Sequence, residues 1–265
     1  SGLNVYKSSN VTLDKVTLKD NAAAGLVVNG STVTANGLTT SGNAWGGVNV
    51  DKGSGVTDAT SFSFDAASSF AEAAKVYSDK GDVTVEAPEG WACAQINGKY
   101  YWAKLFDGGN GSEKKPYLIS NAEQFNAIEN LANDMKTGKE YFFKQTADIA
   151  LTQSGSILCG VYDGGNHSVT AVKSNNQTLL FNETWGTNAT IKNLILVSQE
   201  NSPMIAVHTN CADNLNLKNI TTESVNGVTV STNSNNTGLL LINAMYEAWG
   251  SGNAQTYLFE NITNN

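Results

Sequence analysis

The stretch Gly25-Leu26-Val27-Val28-Asn29-Gly30 returns 22 positions later as Gly47-Val48-Asn49-Val50. Each copy opens on glycine and continues apolar–x–apolar. Between them lie Val33 and Leu38, separated by the tight-turn dipeptides Asn29-Gly30, Asn36-Gly37 and Gly42-Asn43. Upstream, Val11-Thr12-Leu13 and Val16-Thr17-Leu18 alternate apolar and polar in the same way. Strands of three to five residues, turns every six to eight and a return near 22 fit one coil of a parallel β-helix. Sandwich strands are usually longer, and hairpin pairs would not return at this distance.

Farther along, a tetrad of apolar–charged–Asn–apolar recurs as Ile191-Lys192-Asn193-Leu194, Leu217-Lys218-Asn219-Ile220 and Phe259-Glu260-Asn261-Ile262. The asparagines are 26 and then 42 residues apart, which reads as one coil and then two. Asn at one station of successive coils can form a side-chain ladder, and it tolerates a left-handed backbone. Leu13-Asp14-Lys15-Val16 is a looser echo of the tetrad.

Between the two repeats the pattern changes. Residues 56–105 read as a linker or cap module after the coils of 1–55. Ser68–Tyr77 carries helix formers, Asp82–Glu86 and Tyr100–Trp102 read as strands, and Asn97-Gly98 signals a hairpin. Residues 106–265 open with a Gly-rich turn. Ser120 with Glu123 forms a capping box, and Ala122, Phe125, Ile128, Leu131 and Met135 mark one apolar face. Gly138 stops the pattern. This predicts one amphipathic helix over about 121–136, with strands resuming at 141–143, 149–151, 157–161 and 169–172. The expected class is all-β: a right-handed parallel β-helix with a short linker or cap module and one amphipathic helix. At about 22 residues per coil and ~4.8 Å rise, eight or so coils give a rod of roughly 40 Å.

Composition sets the function classes. The 265 residues carry 16 lysines, no arginine, and a formal charge of −8. An acidic chain without arginine lacks the footprint that nucleic-acid binding needs. No apolar run is long enough to insert into a membrane. The chain starts at Ser1-Gly2 without Met or a leader and ends inside a repeat, so it reads as a piece excised from a longer protein. Cys93, Cys159 and Cys211 show no zinc spacing and read as three buried thiols, with a Cys159–Cys211 bridge as the alternative. Asn-x-Thr occurs at Asn182, Asn188, Asn219 and Asn261, at a frequency this Asn- and Thr-rich composition explains.

Residues 1–53 resemble the repeats of the pectate-lyase-like β-helix superfamily. Residues 106–265 resemble bacterial cell-surface proteins with GLUG-type repeats. The second resemblance rests on Gly108–Glu113, Pro116–Gln124, Thr146-Ala147-Asp148-Ile149, Tyr162–His167 and Asn188–Leu194, in the family's order. The family's Gly-Leu-x-Gly element is degraded here to Thr178–Phe181 and Thr237–Leu240. The resemblance implies a secreted or cell-surface protein, with signal peptide and anchor outside this fragment. It also implies an adhesin-like role and no established catalytic residues.

Asp14, Asp20, Asp51, Asp58, Asp107, Asp148 and Asp163 do not recur at one station of consecutive coils, so spacing builds no carboxylate pair of the kind glycoside hydrolysis uses. His167 reads as closing a coil corner, and His208 has no readable partner. Asp107–Glu113 has oxygen ligands at alternating spacing, faintly like a calcium loop, and reads as a Gly-rich turn. Trp45, Tyr100, Trp102, Trp185 and Trp249 are the candidate ligand-binding residues, as aromatic faces for sugar stacking. The expectation is therefore a non-enzymatic surface module, adhesin or stalk, binding glycan or host matrix protein, with no cofactor, catalytic residue or metal ligand. The alternatives are a carbohydrate-active enzyme or its accessory module, and a phage-tailspike-like receptor binder.

Overall fold

The computed structural model describes residues 1–152, 155–171, 173–174, 177–198, 204–224 and 256–265. The chain folds as two compact units, Ser1–Leu105 and Phe106–Asn265. Both are built of stacked parallel β-coils.

In the first unit, coil one is β1 (Leu3–Tyr6), β2 (Val11–Asp14) and β3 (Thr17–Lys19). Coil two is β4 (Ala24–Asn29), β5 (Thr32–Asn36) and β6 (Thr39–Ser41). Coil three is β7 (Gly46–Asp51), β8 (Ser61–Phe64) and β9 (Ser69–Phe70). Then come β10 (Val76–Ser78), β11 (Thr84–Glu86), β12 (Trp91–Ile96) and β13 (Lys99–Lys104). Three sheets run in the orders β1-β4-β7-β10-β13-β12, β2-β5-β8-β11 and β3-β6-β9.

The apolar positions stack in columns. Leu3, Leu26, Val48 and Val76 form one, and Val11, Val33, Phe62 and Val85 another. Period-two alternation points these residues inward, and Leu26, Val48 and Val76 are fully buried. The 22-residue return from Gly25 to Gly47 is the register offset of β4 on β7, Leu26 against Val48, and the same offset sets Val11 against Val33 and Thr17 against Thr39 between coils one and two.

Residues 56–105 differ from the sequence expectation in two places. No helix forms at Ser68–Tyr77; β9 and β10 occupy it. Val76 and Tyr77 pair in parallel with Val48 and Asn49, and a sheet partner overrides modest helix propensity. Coil three also continues the three sheets beyond residue 55, closing on an aromatic cluster in which Phe64 meets Phe70 at 5.1 Å and Trp91 at 4.9 Å between ring centroids. The Asn97-Gly98 hairpin forms between β12 and β13, with both residues at positive φ (52° and 77°), as a type I′ turn requires. Because β13 lies antiparallel on β10, the hairpin ends the parallel order of its sheet.

Corners of this unit are tied from coil to coil by side chains. Asn21 Nδ2 donates to Asn43 Oδ1 at 2.7 Å, and Asn43 Nδ2 donates to Glu72 Oε1 at 2.6 Å. Thr40 Oγ1 donates to the other Glu72 oxygen at 2.6 Å.

The second unit begins with β14 (Tyr117–Ile119). The predicted helix is present but interrupted: α1 (Ala122–Ala127), a 3₁₀ turn (Ile128–Leu131) and α2 (Ala132–Lys136). Phe125, Ile128, Leu131 and Met135 are buried, as the pattern required. Three of these lie at strict i+3 spacing, which is the 3₁₀ period, and the 3₁₀ turn falls there. The cap sits one residue later than expected. Asn121 is the N-cap, accepting from the Gln124 amide at 3.0 Å, and Gln124 Oε1 accepts from the Ser120 amide at 2.7 Å.

The coils follow as β15 (Tyr141–Gln145), β16 (Ile149–Ala150), β17 (Ser156–Ala171), β18 (Lys173–Ser174), β19 (Gln177–Ser198), β20 (Met204–Asn210), β21 (Asn214–Ser224) and β22 (Thr256–Asn264). One column runs Tyr117, Phe143, Tyr162, Ile191, Leu217, Phe259. Expected strands at 157–161 and 169–172 are parts of the single β17, bent by bulges between Asp163 and His167; Val172 lies outside the described residues.

The tetrad asparagines form the expected ladder. Asn219 Nδ2 donates to Asn193 Oδ1 at 2.8 Å, and Asn261 Nδ2 to Asn219 Oδ1 at 2.9 Å. Asn193 in turn donates to Asp163 Oδ1 at 3.0 Å. All three asparagines have φ near +53°. The 42-residue step is one coil and not two: β21 pairs directly with β22, Ile220 against Ile262. The length between them, 225–255, lies outside the described residues.

Candidate functional site

Trp45 stands in the turn before β7 and is 67% exposed, the most exposed of the large hydrophobic side chains among the described residues. It borders a cavity of about 300 Å³ lined also by Ala74, Tyr77, Asp79, Lys99 and Tyr101. Two neighbouring strands, β10 and β13, supply Tyr77, Lys99 and Tyr101, and the turns beside β7 and β10 supply Trp45, Ala74 and Asp79. Tyr77 on β10 and Tyr101 on β13 are register partners, and their rings stack with centroids 6.4 Å apart. Lys99 lies on the same face of β13 as Tyr101, by the two-residue alternation of a strand. Its Nζ meets Asp79 Oδ1 at 2.8 Å, with both side chains 52% exposed.

Gly46 makes this arrangement sterically possible. Its φ is +130°, and a Cβ there would lie 2.5 Å from the Ala74 carbonyl and 2.8 Å from the Tyr77 ring. Burial raises the Tyr77 phenol pKa, and the negative charge of Asp79, with Tyr101 and Asp51, adds to the effect. Asp79 in turn raises the Lys99 pKa, through their hydrogen bond and charge.

The other aromatic candidates lie elsewhere. Tyr100 and Trp102 occupy the face of β13 opposite Tyr101. Tyr100 accepts from Gln95 Nε2 at 3.4 Å, and Trp102 packs on the hydrophobic core opposite Val76. The run Tyr100–Trp102 is therefore no single aromatic platform. Trp185 is half-buried, donates from Nε1 to Glu183 Oε2 at 2.7 Å, and has Lys136 Nζ 5.8 Å from its ring centroid. Trp249 lies outside the described residues. Tyr77, Asp79 and Lys99 were not singled out from the sequence. The Asn97-Gly98 hairpin located β13, but its pairing with β10 rests on a strand that begins in a stretch carrying helix formers.

Among the described residues, no three His, Cys, Asp or Glu side chains gather as metal ligands would. The Asp107 carboxylate accepts from Ser120 Oγ at 2.5 Å and Gln124 Nε2 at 2.6 Å, which ties the Gly-rich turn to the start of α1. His167 Nδ1 stands 3.6 Å from Asp148 Oδ1 at a corner of β17; the His208 side chain lies outside the described set. The three cysteines are thiols, so no Cys159–Cys211 bridge is present. Only Cys159 is buried, and burial pushes its pKa up to about 11; Cys93 and Cys211 are half-buried.

Two carboxylates anchor ladders and give the fold a pH dependence. At Glu72, burial favours the neutral acid but is outweighed by hydrogen bonds from Thr40 and Asn43, so the pKa lies below its ordinary value. At Asp163, burial is likewise outweighed by Asn193, the Gly165 amide and Lys192. Groups with depressed folded pKa values contribute stability above the unfolded pKa and lose it as pH falls through the folded one. The urea midpoint is therefore expected to hold between pH 7 and 5 and to fall below about pH 4. Glu72→Gln should flatten part of that slope. A midpoint that rises on acidification would contradict the assignment.

No known family model, curated protein or solved structure matches the chain.

Proposed function

We propose that this chain is a non-enzymatic module of a secreted or cell-surface protein, adhesin-like, in which a β-helical stalk presents a glycan-binding face. The observation that carries this reading is the Trp45 cavity: an exposed indole beside stacked tyrosines and an ion pair, at β10, β13 and the turns flanking β7 and β10. Rigid concave surfaces with a few convergent polar groups are typical of ligand sites. The coil-to-coil ladders support the stalk role, since each coil is stabilised by its neighbours. The pectate-lyase-like and GLUG-type resemblances of the two stretches belong to the same reading.

A screen of immobilised glycans, mucins and matrix proteins with the full chain tests it. Saturable binding to glycan or mucin is expected. Release of reducing or unsaturated ends from acidic polysaccharides would instead favour a carbohydrate-active enzyme.

A further inference from the structure

We propose that the Trp45 cavity is a subsite for a single neutral pyranose residue of a glycan chain, an inference that rests on the glycan-binding reading above. Each feature of the cavity restricts the ligand. The exposed indole offers a flat apolar face, which suits the C–H face of a sugar ring. Asp79 and Lys99, 2.8 Å apart, place an acceptor and a donor side by side at the rim. Adjacent hydroxyls on a pyranose can each accept from the ammonium and donate to the carboxylate. At about 300 Å³ the cavity lies at the small end of ligand sites, which fits one ring.

Charge decides between neutral and acidic sugars. Among the described residues the only cation lining the cavity, Lys99, is already paired with Asp79. With Asp79 paired to Lys99, Asp51 is the remaining carboxylate that acts on the Tyr77 phenol, so the charge beside the cavity is net negative, and the chain carries −8 overall. An arginine fork, the usual clamp for a sugar carboxylate, is absent from the whole sequence. A uronate or sialate would therefore meet repulsion where a neutral hexose would not.

The site is preorganised. Tyr77 and Tyr101 are fixed by β-pairing, and the backbone at Gly46 leaves the space the tyrosine ring fills. Trp45 is the element expected to carry most of the binding, as buried tryptophans do in interfaces.

The test uses the full chain with a panel of neutral disaccharides (cellobiose, lactose, mannobiose) and the acidic digalacturonate and 3′-sialyllactose. Titration is followed by calorimetry and tryptophan emission. At least one neutral sugar is expected to bind with a change in emission. Trp45→Ala should then weaken it by at least about tenfold, Trp45→Phe by less, and Asp79→Asn and Lys99→Gln measurably. Because Trp45 is exposed, its urea midpoint should be unchanged, which separates lost binding from lost folding. Tighter binding of the acidic sugars overturns the proposal, as does neutral-sugar binding that is indifferent to Trp45→Ala. The latter result leaves a glycan site elsewhere on the protein. Binding of none of these sugars, together with no hit among immobilised glycans, overturns both this subsite and the glycan-binding reading.

Discussion

Replacing Phe125 with alanine is expected to destabilise the chain by about 3–5 kcal/mol, the range for truncating a buried aromatic. Phe125 is one of four buried side chains, with Ile128, Leu131 and Met135, through which the helical segment packs on the β-coils. It is fully buried, and its ring lies 5.5 Å from Tyr162 and 5.6 Å from Phe181, centroid to centroid. Those two rings are in contact with each other at 5.5 Å, so one side chain completes a three-ring cluster. Beneath it lies a polar network that cannot relax to solvent. Tyr162 donates to Gln145 Oε1 at 2.9 Å, and Gln145 Nε2 donates to the carbonyls of Ala147 and Ser168, each at 2.8 Å. Gln145 and Tyr162 are both fully buried. A void beside Tyr162 would loosen that network as well as forfeit the ring's own burial. Phe125→Leu should cost much less, because most of the volume is retained. Equilibrium urea unfolding checks the magnitude, and hydrogen exchange at the β15 and β17 amides checks the location. A loss below about 1 kcal/mol would mean that the helix is an ornament on the coils and not part of their core.

The sequence made the coils legible where their corners use residues with a backbone signature. In the tetrads, Asn at 193, 219 and 261 both adopts positive φ and supplies the ladder, so one residue type reports two constraints. In coils one and two of the first unit, Gly and Asn dipeptides mark the turns, and the strands between them are short and regular. Coil three was legible at β7, but its later strands β8 and β9 were hidden because its corners do the same work with other chemistry. The Gly30 amide is met by Thr60 Oγ1, the Gly37 amide by Asp65 Oδ1, the Leu38 amide by Ser68 Oγ, and Asn43 by Glu72. None of these is a turn dipeptide, and the register step lengthens: Val48 pairs with Val76, and Val33 with Phe62. The 42-residue spacing misled for a related reason, since extra length between paired strands leaves no mark on their pattern. The candidate site was half legible. Trp45 was among the aromatic faces the sequence offered, but Asp79 and Lys99 meet only because β13 pairs with β10, a long-range contact that local periodicity does not encode.

Gly160→Ala is the second substitution with a large expected effect, about 3 kcal/mol, and it separates two costs that glycine usually hides together. Gly160 pairs with Tyr141 on one side and Ala189 on the other, inside the stack. Its φ is +106°, where a side chain is strained by roughly 1–3 kcal/mol. A Cβ at this position would also fall 2.3 Å from the Tyr141 carbonyl oxygen and 2.8 Å from the Tyr141 nitrogen. Both are backbone atoms held by sheet pairing, so neither can swing aside as a long side chain could, and overpacking of this kind adds about 1–3 kcal/mol. Gly98 is the matched control. Its φ is +77°, also in the left-handed region, but nothing lies within 4 Å of the position its Cβ would take. Gly98→Ala should therefore cost only the conformational part, about 1 kcal/mol. Urea midpoints of the two variants read the difference directly. If Gly160→Ala proves no worse than Gly98→Ala, the close approach of β15 to β17 at Tyr141 is not a fixed feature of the stack, and the coil spacing there can widen to admit a methyl group.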